Sequence, residues 1–282
     1  MKNLSLVIVL ILATISMAIG QVKTPAPSPS IKIEQEFGLT TVNLEYSRPG
    51  VKDRVIFGDL VPYDKMWRTG ANKNSMLTFS DAVTFAGTEV EAGTYALFTK
   101  PGKQMWEVYL YTDTENWGTP EEWDDAKVAA KTTVKSTTNS SSVESFDLGL
   151  QNISDDSADL VLSWEKTQIA IELGVATDAM AMKTIEAAMG GPSWRDQYNA
   201  ARYYRENGKD LDKALKWMTA SVAERGEMYW NTRQLALIQA DKGDYKSAIA
   251  TAKKSIELAK EAGSDNYVKF NEASIAEWKN MK

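Results

Sequence analysis

Ile31-Lys-Ile-Glu-Gln-Glu-Phe-Gly-Leu-Thr-Thr-Val-Asn-Leu-Glu-Tyr46 decides the fold class of the first half of this chain. Ile31, Ile33 and Gln35 alternate with Lys32 and Glu34. Val42, Leu44 and Tyr46 alternate with Asn43 and Glu45, and Phe37-Gly38 separates the two runs. Successive side chains of a strand point to opposite faces, so this alternation predicts strands with one buried face.

The same period extends to about Leu173. Leu77 and Phe79, Val83 and Phe85, Tyr95-Ala-Leu-Phe98 and Trp106-Glu-Val-Tyr-Leu-Tyr111 continue it, followed by runs at 128–134, 143–150, 160–164 and 168–173. Ala86-Gly87, Ala92-Gly93, Pro101-Gly102 and Ser154-Asp-Asp-Ser157 supply turns. Roughly ten short strands without intervening helices predict an antiparallel sandwich or barrel over residues 31–174. Ser136 to Ser142 reads as a flexible loop, and Glu121-Glu-Trp-Asp-Asp125 as a helical turn inside a loop.

After Gly174 the period becomes helical. Thr177 or Asp178 caps a helix that Gly190-Gly191-Pro192 stops. Ser193 with Asp196 resembles a capping box, and Asp210 and Asp244 open further helices. Breaks fall at Asn207-Gly208, Lys242-Gly243 and Gly263. Ala214-Leu215 recurs as Ala248-Ile249 at an offset of 34 positions, and Asp210/Asp244, Ser221/Ser255 and Val222/Ile256 keep the same offset. A helix–turn–helix unit of that period resembles the tetratricopeptide repeat. The expectation is an α+β chain of two domains, a β-sandwich followed by an all-α helical-hairpin domain over residues 175–282. A repeat surface of this kind grips a peptide or protein partner; alternatively, the helices serve only to pack.

Composition narrows the chemistry. The 282 residues are 43% hydrophobic and 25% charged, with net charge −6 and neither cysteine nor histidine. Without thiol or imidazole, Ser-His-Asp and Cys-His catalysis and the common zinc sites are unavailable to this chain acting alone. No cofactor or metal is expected, and the acidic balance argues against a nucleic-acid partner. Asp155, Asp156 and Asp159 lack the spacing of a calcium loop and read as an acidic turn.

Residues 1–20, MKNLSLVIVLILATISMAIG, place Lys2 before an apolar run and end on Ala18-Ile19-Gly20. That is the layout of a cleaved secretory signal peptide. The run is shorter than the ~20 apolar residues of a membrane span, and no later stretch approaches one. Residues 21–30, QVKTPAPSPS, read as an extended spacer. The expectation is an exported protein, periplasmic or extracellular, with no membrane span after cleavage.

Residues 46–72 stand out. This long connection combines Arg48, Arg54 and Arg68 with Tyr46, Phe57, Tyr63 and Trp67, and long loops are often functional. Arginine grips carboxylate or phosphate bidentately, and flat rings stack on sugars or other rings. Gly70 permits a tight turn that would leave Thr69 and Asn72 projecting. The candidate ligand site is therefore Arg48, Arg54, Arg68, Thr69 and Asn72, walled by Tyr63 and Trp67, for a small polar, anionic or sugar ligand. The opposing reading pairs the arginines with Asp53, Asp59, Asp64 or Glu45 and buries Trp67 in the core. Trp106 and Trp164 read as core, Trp117 and Trp123 as exposed aromatics.

Ser47-Arg-Pro-Gly-Val-Lys-Asp-Arg-Val-Ile-Phe-Gly58, Leu60-Val-Pro-Tyr63 and Met66-Trp-Arg-Thr-Gly-Ala-Asn72 carry a resemblance. Together with Ala92 to Gly102, Trp106 to Tyr111 and Leu160 to Ile171, they resemble a secreted bacterial family, domain of unknown function 2911, over residues 31–174. The resemblance implies a predominantly β domain and brings no activity and no catalytic residues. The functional expectation is an exported binding or interaction protein. The alternative is a carboxylate-dependent hydrolase of cell-envelope glycans or peptides, whose acids the sequence does not single out.

Overall fold

The computed structural model describes residues 24–281. The expected signal peptide, residues 1–20, lies outside the described residues, as does the start of the spacer. The chain forms two compact units, the first ending at Thr177 and the second beginning at Asp178.

The first unit is an antiparallel β-sandwich. Its strands are β1 (Ser30–Phe37), β2 (Thr40–Ser47), β3 (Ser75–Phe79), β4 (Val83–Phe85), β5 (Thr88–Val90), β6 (Gly93–Lys100), β7 (Met105–Tyr111), β8 (Val128–Lys135), β9 (Thr137–Gln151) and β10 (Ser157–Val175). One sheet runs β1-β2-β3-β6-β7-β8 and the other β5-β4-β10-β9. The alternation in β2 is realised directly: Val42, Leu44 and Tyr46 point into the core while Asn43 and Glu45 are more exposed. The two sheets share one core, to which Leu44, Leu77, Leu97, Trp106 and Leu110 contribute from one side and Phe146, Leu160, Trp164, Ile169 and Leu173 from the other. Trp106 and Trp164 are fully buried, as expected.

The run Tyr95-Ala-Leu-Phe98 departs from alternation for a physical reason. Tyr95 and Leu97 face the core, while Ala96 and Phe98 pack with Tyr109 and Tyr111 on the outer face, under Trp123. The Trp123 ring stacks on Tyr111 at 4.4 Å and donates its N–H to Asp125 at 3.0 Å. Trp123 therefore covers a second apolar layer rather than standing free, whereas Trp117 is 76% exposed.

Three local expectations are corrected. Ser136 to Ser142 is not a loop: residues 137–142 belong to β9, an edge strand paired with β10 through Thr138↔Thr167 and Thr137↔Gln168. Periodicity reports burial, and this polar edge segment buries little, so its backbone pairing left no apolar signature. Residues 160–173 form one strand rather than two, with register shifts on either side of Glu165 absorbing the break in pattern. The helical turn expected at 121–125 lies later, as a 3-10 turn over Asp125–Lys127 capped by Asp124.

Six helices follow: α1 (Thr177–Ala188), α2 (Trp194–Glu206), α3 (Leu211–Arg225), α4 (Tyr229–Asp241), α5 (Tyr245–Glu261) and α6 (Asp265–Trp278). The sequence caps are in place. Ser193 and Asp196 form the reciprocal capping box of α2, Asp210 accepts from the backbone N–H groups of Asp212 and Lys213, and Asp244 accepts from that of Ser247. Small residues set the packing: Ala201, Ala214, Ala236, Ala248 and Ala252 are fully buried where helices approach. The 34-residue offset reappears in hydrogen bonds. Ser221 Oγ donates to the Trp194 carbonyl at 2.7 Å, and Ser255 Oγ donates to the Tyr229 carbonyl at 2.6 Å. Each hydroxyl ties the second helix of a hairpin to the start of the first. No helix among the described residues is long and apolar enough to cross a membrane.

Candidate functional site

The connection between β2 and β3 is irregular but tightly tethered. Trp67 exchanges backbone hydrogen bonds with Thr99 of β6, N–H to carbonyl at 2.7 Å and back at 3.0 Å. Val51 N–H bonds the Glu144 carbonyl at 2.8 Å, and Phe146 N–H bonds the Pro49 carbonyl at 2.9 Å. Lys52, Asp53, Asp64, Thr69 and Asn72 all adopt positive φ. For a β-branched residue such as Thr69, with φ 57°, this conformation is unfavourable and persists only when its surroundings fix it. Its hydroxyl bonds the Thr99 hydroxyl at 3.0 Å and its carbonyl accepts from Ser75 Oγ. Gly70 follows with φ 132°, and a Cβ there would lie 3.0 Å from Ser75 Oγ and 3.2 Å from the Ser47 carbonyl. Only glycine fits that turn without displacing its neighbours.

This geometry separates the seven candidate residues. Arg54, Trp67 and Arg68 line one cavity of about 370 Å³, together with Lys52, Trp164 and the N-terminal residues Pro27 and Ser28. Asn72 lines a neighbouring cavity of about 320 Å³ with Tyr46, Lys73 and the exposed Trp117. Its amide is already engaged, donating to Ser47 Oγ at 3.2 Å and to the Ser28 carbonyl at 3.3 Å. Arg48, Tyr63 and Thr69 line neither. Thr69 is fully buried rather than projecting, because the Thr99 hydroxyl holds it inward. Tyr63 packs on the core, with Gly58 closely fitted against its ring.

The three arginines have different roles. Arg48 is a pin: its guanidinium pairs with Asp147 at 2.9 Å and donates to the Phe146 carbonyl at 2.9 Å. Asp147 also accepts from the Tyr46 hydroxyl at 3.3 Å, and that hydroxyl accepts the Leu148 N–H at 3.0 Å. Burial pushes the Tyr46 phenol up from its ordinary range, with the Asp147 charge adding to it, against the opposing Leu148 N–H and Arg48. Asp147 lies about a hundred residues away, so the local acids Asp53, Asp59, Asp64 and Glu45 were the wrong partners to expect. Arg54 is exposed and folds back on its own loop, donating to the Val51 carbonyl at 3.0 Å and the Gly50 carbonyl at 2.6 Å.

Arg68 differs from both. Its Nε is buried with no hydrogen-bond partner, and it forms no ion pair among the described residues. Trp164 presents a second orphan, a buried indole N–H without an acceptor. Buried donors are nearly always satisfied, and leaving one unmet costs about 1–3 kcal/mol. The cavity thus has three cations on its lining, Lys52, Arg54 and Arg68, and no carboxylate. Trp67 and Trp164 stack at 5.9 Å and 16° to form its apolar wall. Lys52 and Trp164 were missed as site residues. Lys52 lay in the right loop, but Trp164 carried only the alternating pattern of a core residue.

Residues 28–173, just over half of the chain, match the family model described as "Protein of unknown function (DUF2911)". The chain belongs to the DUF2911 family. The match spans almost the whole β unit, including every residue lining both cavities except Pro27. No curated protein and no solved structure matches the chain. The DUF2911 region therefore brings no assigned chemistry, and its residues must supply the functional argument. Among the described residues no group of acids could hold a metal ion. The acidic turn Asp155 to Asp159 is instead tied internally, with Ser154 Oγ donating to Asp156 at 3.0 Å and Asn152 to Asp159 at 2.7 Å.

Proposed function

We propose that this DUF2911 protein is an exported binding protein whose β unit takes a small anionic ligand in the Arg68 cavity. Export rests on the signal-peptide pattern of residues 1–20. The observation that carries the ligand class is the charge of the cavity lining: Lys52, Arg54 and Arg68 line it with no carboxylate among the lining residues, and Arg68 forms no ion pair among the described residues. A carboxylate or phosphate would pair with Arg68 in the geometry arginine favours. The tryptophan wall favours a ligand with an apolar or ring portion beside its charge. The volume falls within the ~300–1,000 Å³ range of small-molecule sites. The hydrolase alternative gains no support here, because no acid lines the cavity to protonate a leaving group.

The helical unit is a short array of tetratricopeptide type in this reading, supported by the paired alanines and by the Ser221 and Ser255 bonds at equivalent positions. The β-unit reading is tested by titrating the full mature chain with phenyl phosphate and benzoate, using neutral benzamide as control, and following indole fluorescence. The anions saturate the signal and benzamide does not. Equal responses to all three would refute the anion site.

A further inference from the structure

The helical unit carries a second set of unpaired guanidiniums, on a face that the cavity reading does not use. Along this face α2, α4 and α6 touch through their side chains. Trp194 and Tyr198 of α2 contact the Trp230 ring at 6.0 and 4.9 Å, and Tyr229 of α4 contacts Tyr267 of α6 at 4.7 Å. α3 and α5 pack against these helices through Ala214, Met218, Ala248 and Ala252, and α3 brings Arg225, at its C-terminal end, to the Trp194 ring. Arg233 is half-buried on this face. Its guanidinium lies 5.6 Å from the Phe270 ring and donates to the Asn271 side-chain carbonyl at 2.9 Å, a neutral partner. It forms no ion pair among the described residues. Arg195 and Arg225 both lie over the Trp194 ring, at 5.3 and 5.5 Å, and likewise form no ion pair among the described residues. Nearby Arg202 and Arg205 are neutralised, by Glu206 at 3.6 Å and Asp241 at 2.8 Å. Residues 178–282 hold 17 basic against 15 acidic residues, whereas residues 1–177 hold 15 against 23. The positive balance is thus confined to the helical unit.

We infer that this face binds an acidic, aromatic- or aliphatic-containing peptide segment of a protein partner, with Arg233 receiving a carboxylate and Arg195 and Arg225 receiving others. Charge complementarity selects the occupant. Three guanidiniums without acid partners, spaced by exposed or half-exposed rings, match alternating carboxylates and apolar side chains. Burial and the neighbouring Arg205 both weigh against the Arg233 charge, and a peptide carboxylate would relieve that repulsion. Phe270, 52% exposed, offers its ring as the apolar contact beside Arg233. The site is independent of the Arg68 cavity, so either can fail alone.

The test is selection of random decapeptides on the full mature chain, followed by fluorescence anisotropy of the selected peptide and of its isostere with Asn and Gln for Asp and Glu. Selected peptides are rich in Asp and Glu, and the isostere binds at least roughly tenfold more weakly. Arg233→Gln weakens binding by a similar factor with helical circular dichroism unchanged, Phe270→Ala weakens it without touching a buried residue, and Arg68→Gln leaves it intact. Selection without acidic enrichment, equal binding of the isostere, or full affinity in Arg233→Gln would overturn the inference. So would displacement by heparin that is equal in the wild type and Arg233→Gln, which would mark a non-specific polyanion surface.

Discussion

Arg48 and Arg68 show one residue type in two different settings, one paired and one without an ion pair among the described residues. The Arg48 guanidinium joins β2 to β9 through Asp147 and the Phe146 carbonyl, so Arg48→Ala lowers unfolding free energy by about 1–2 kcal/mol, measured by urea denaturation. Arg68→Gln changes stability by less than that, because no protein acceptor is lost, but it removes the anion response. Tyr46→Phe orphans the buried Leu148 N–H and costs about 1–3 kcal/mol. It also changes the alkaline limb. The Tyr46 phenol is raised in the folded state, so its contribution is complete below the ordinary tyrosine range near pH ~10 and is lost as pH rises through the higher folded value. Urea midpoints above pH ~10 therefore fall less steeply in Tyr46→Phe than in the wild type.

Strand and helix elements were legible wherever burial follows a fixed period. Val42, Leu44 and Tyr46 announced β2, and Ser193, Asp210 and Asp244 announced three helix starts through side chains that cap in place. The start of β9 was illegible because Thr137 to Ser142 gain backbone pairs but little burial. The candidate site was legible as a loop and not as a cavity. Its density of arginine and aromatic residues marked residues 46–72, but Trp164 and Asp147 join it through sandwich packing that no local pattern encodes. Caps give element-scale predictions. Asp210→Ala costs about 1 kcal/mol of helical-unit stability, read by far-ultraviolet circular dichroism during thermal unfolding. Asp196 and Asp244 are held below the usual carboxylate range, in each case first by a serine side chain, Ser193 and Ser247. Their stabilising effect is complete above the ordinary aspartate pKa near ~4 and drains as pH falls through the lower folded values.

Across the whole molecule, the lack of histidine and cysteine and the distribution of charge point the same way. The β unit places Lys52, Arg54 and Arg68 on the lining of one cavity, and the helical unit spreads three guanidiniums over aromatic rings. In the proposed readings both arrangements take up negative charge. Each unit has its own hydrophobic clusters, so residues 24–177 expressed alone give a cooperative thermal transition with β-type circular dichroism. The most direct test of the central claim is calorimetric titration of the full mature chain with phenyl phosphate, in the wild type and in Arg68→Gln. Saturable binding that weakens by roughly tenfold or more in Arg68→Gln, at unchanged thermal stability, is the expected result. Identical isotherms for the two proteins would contradict it.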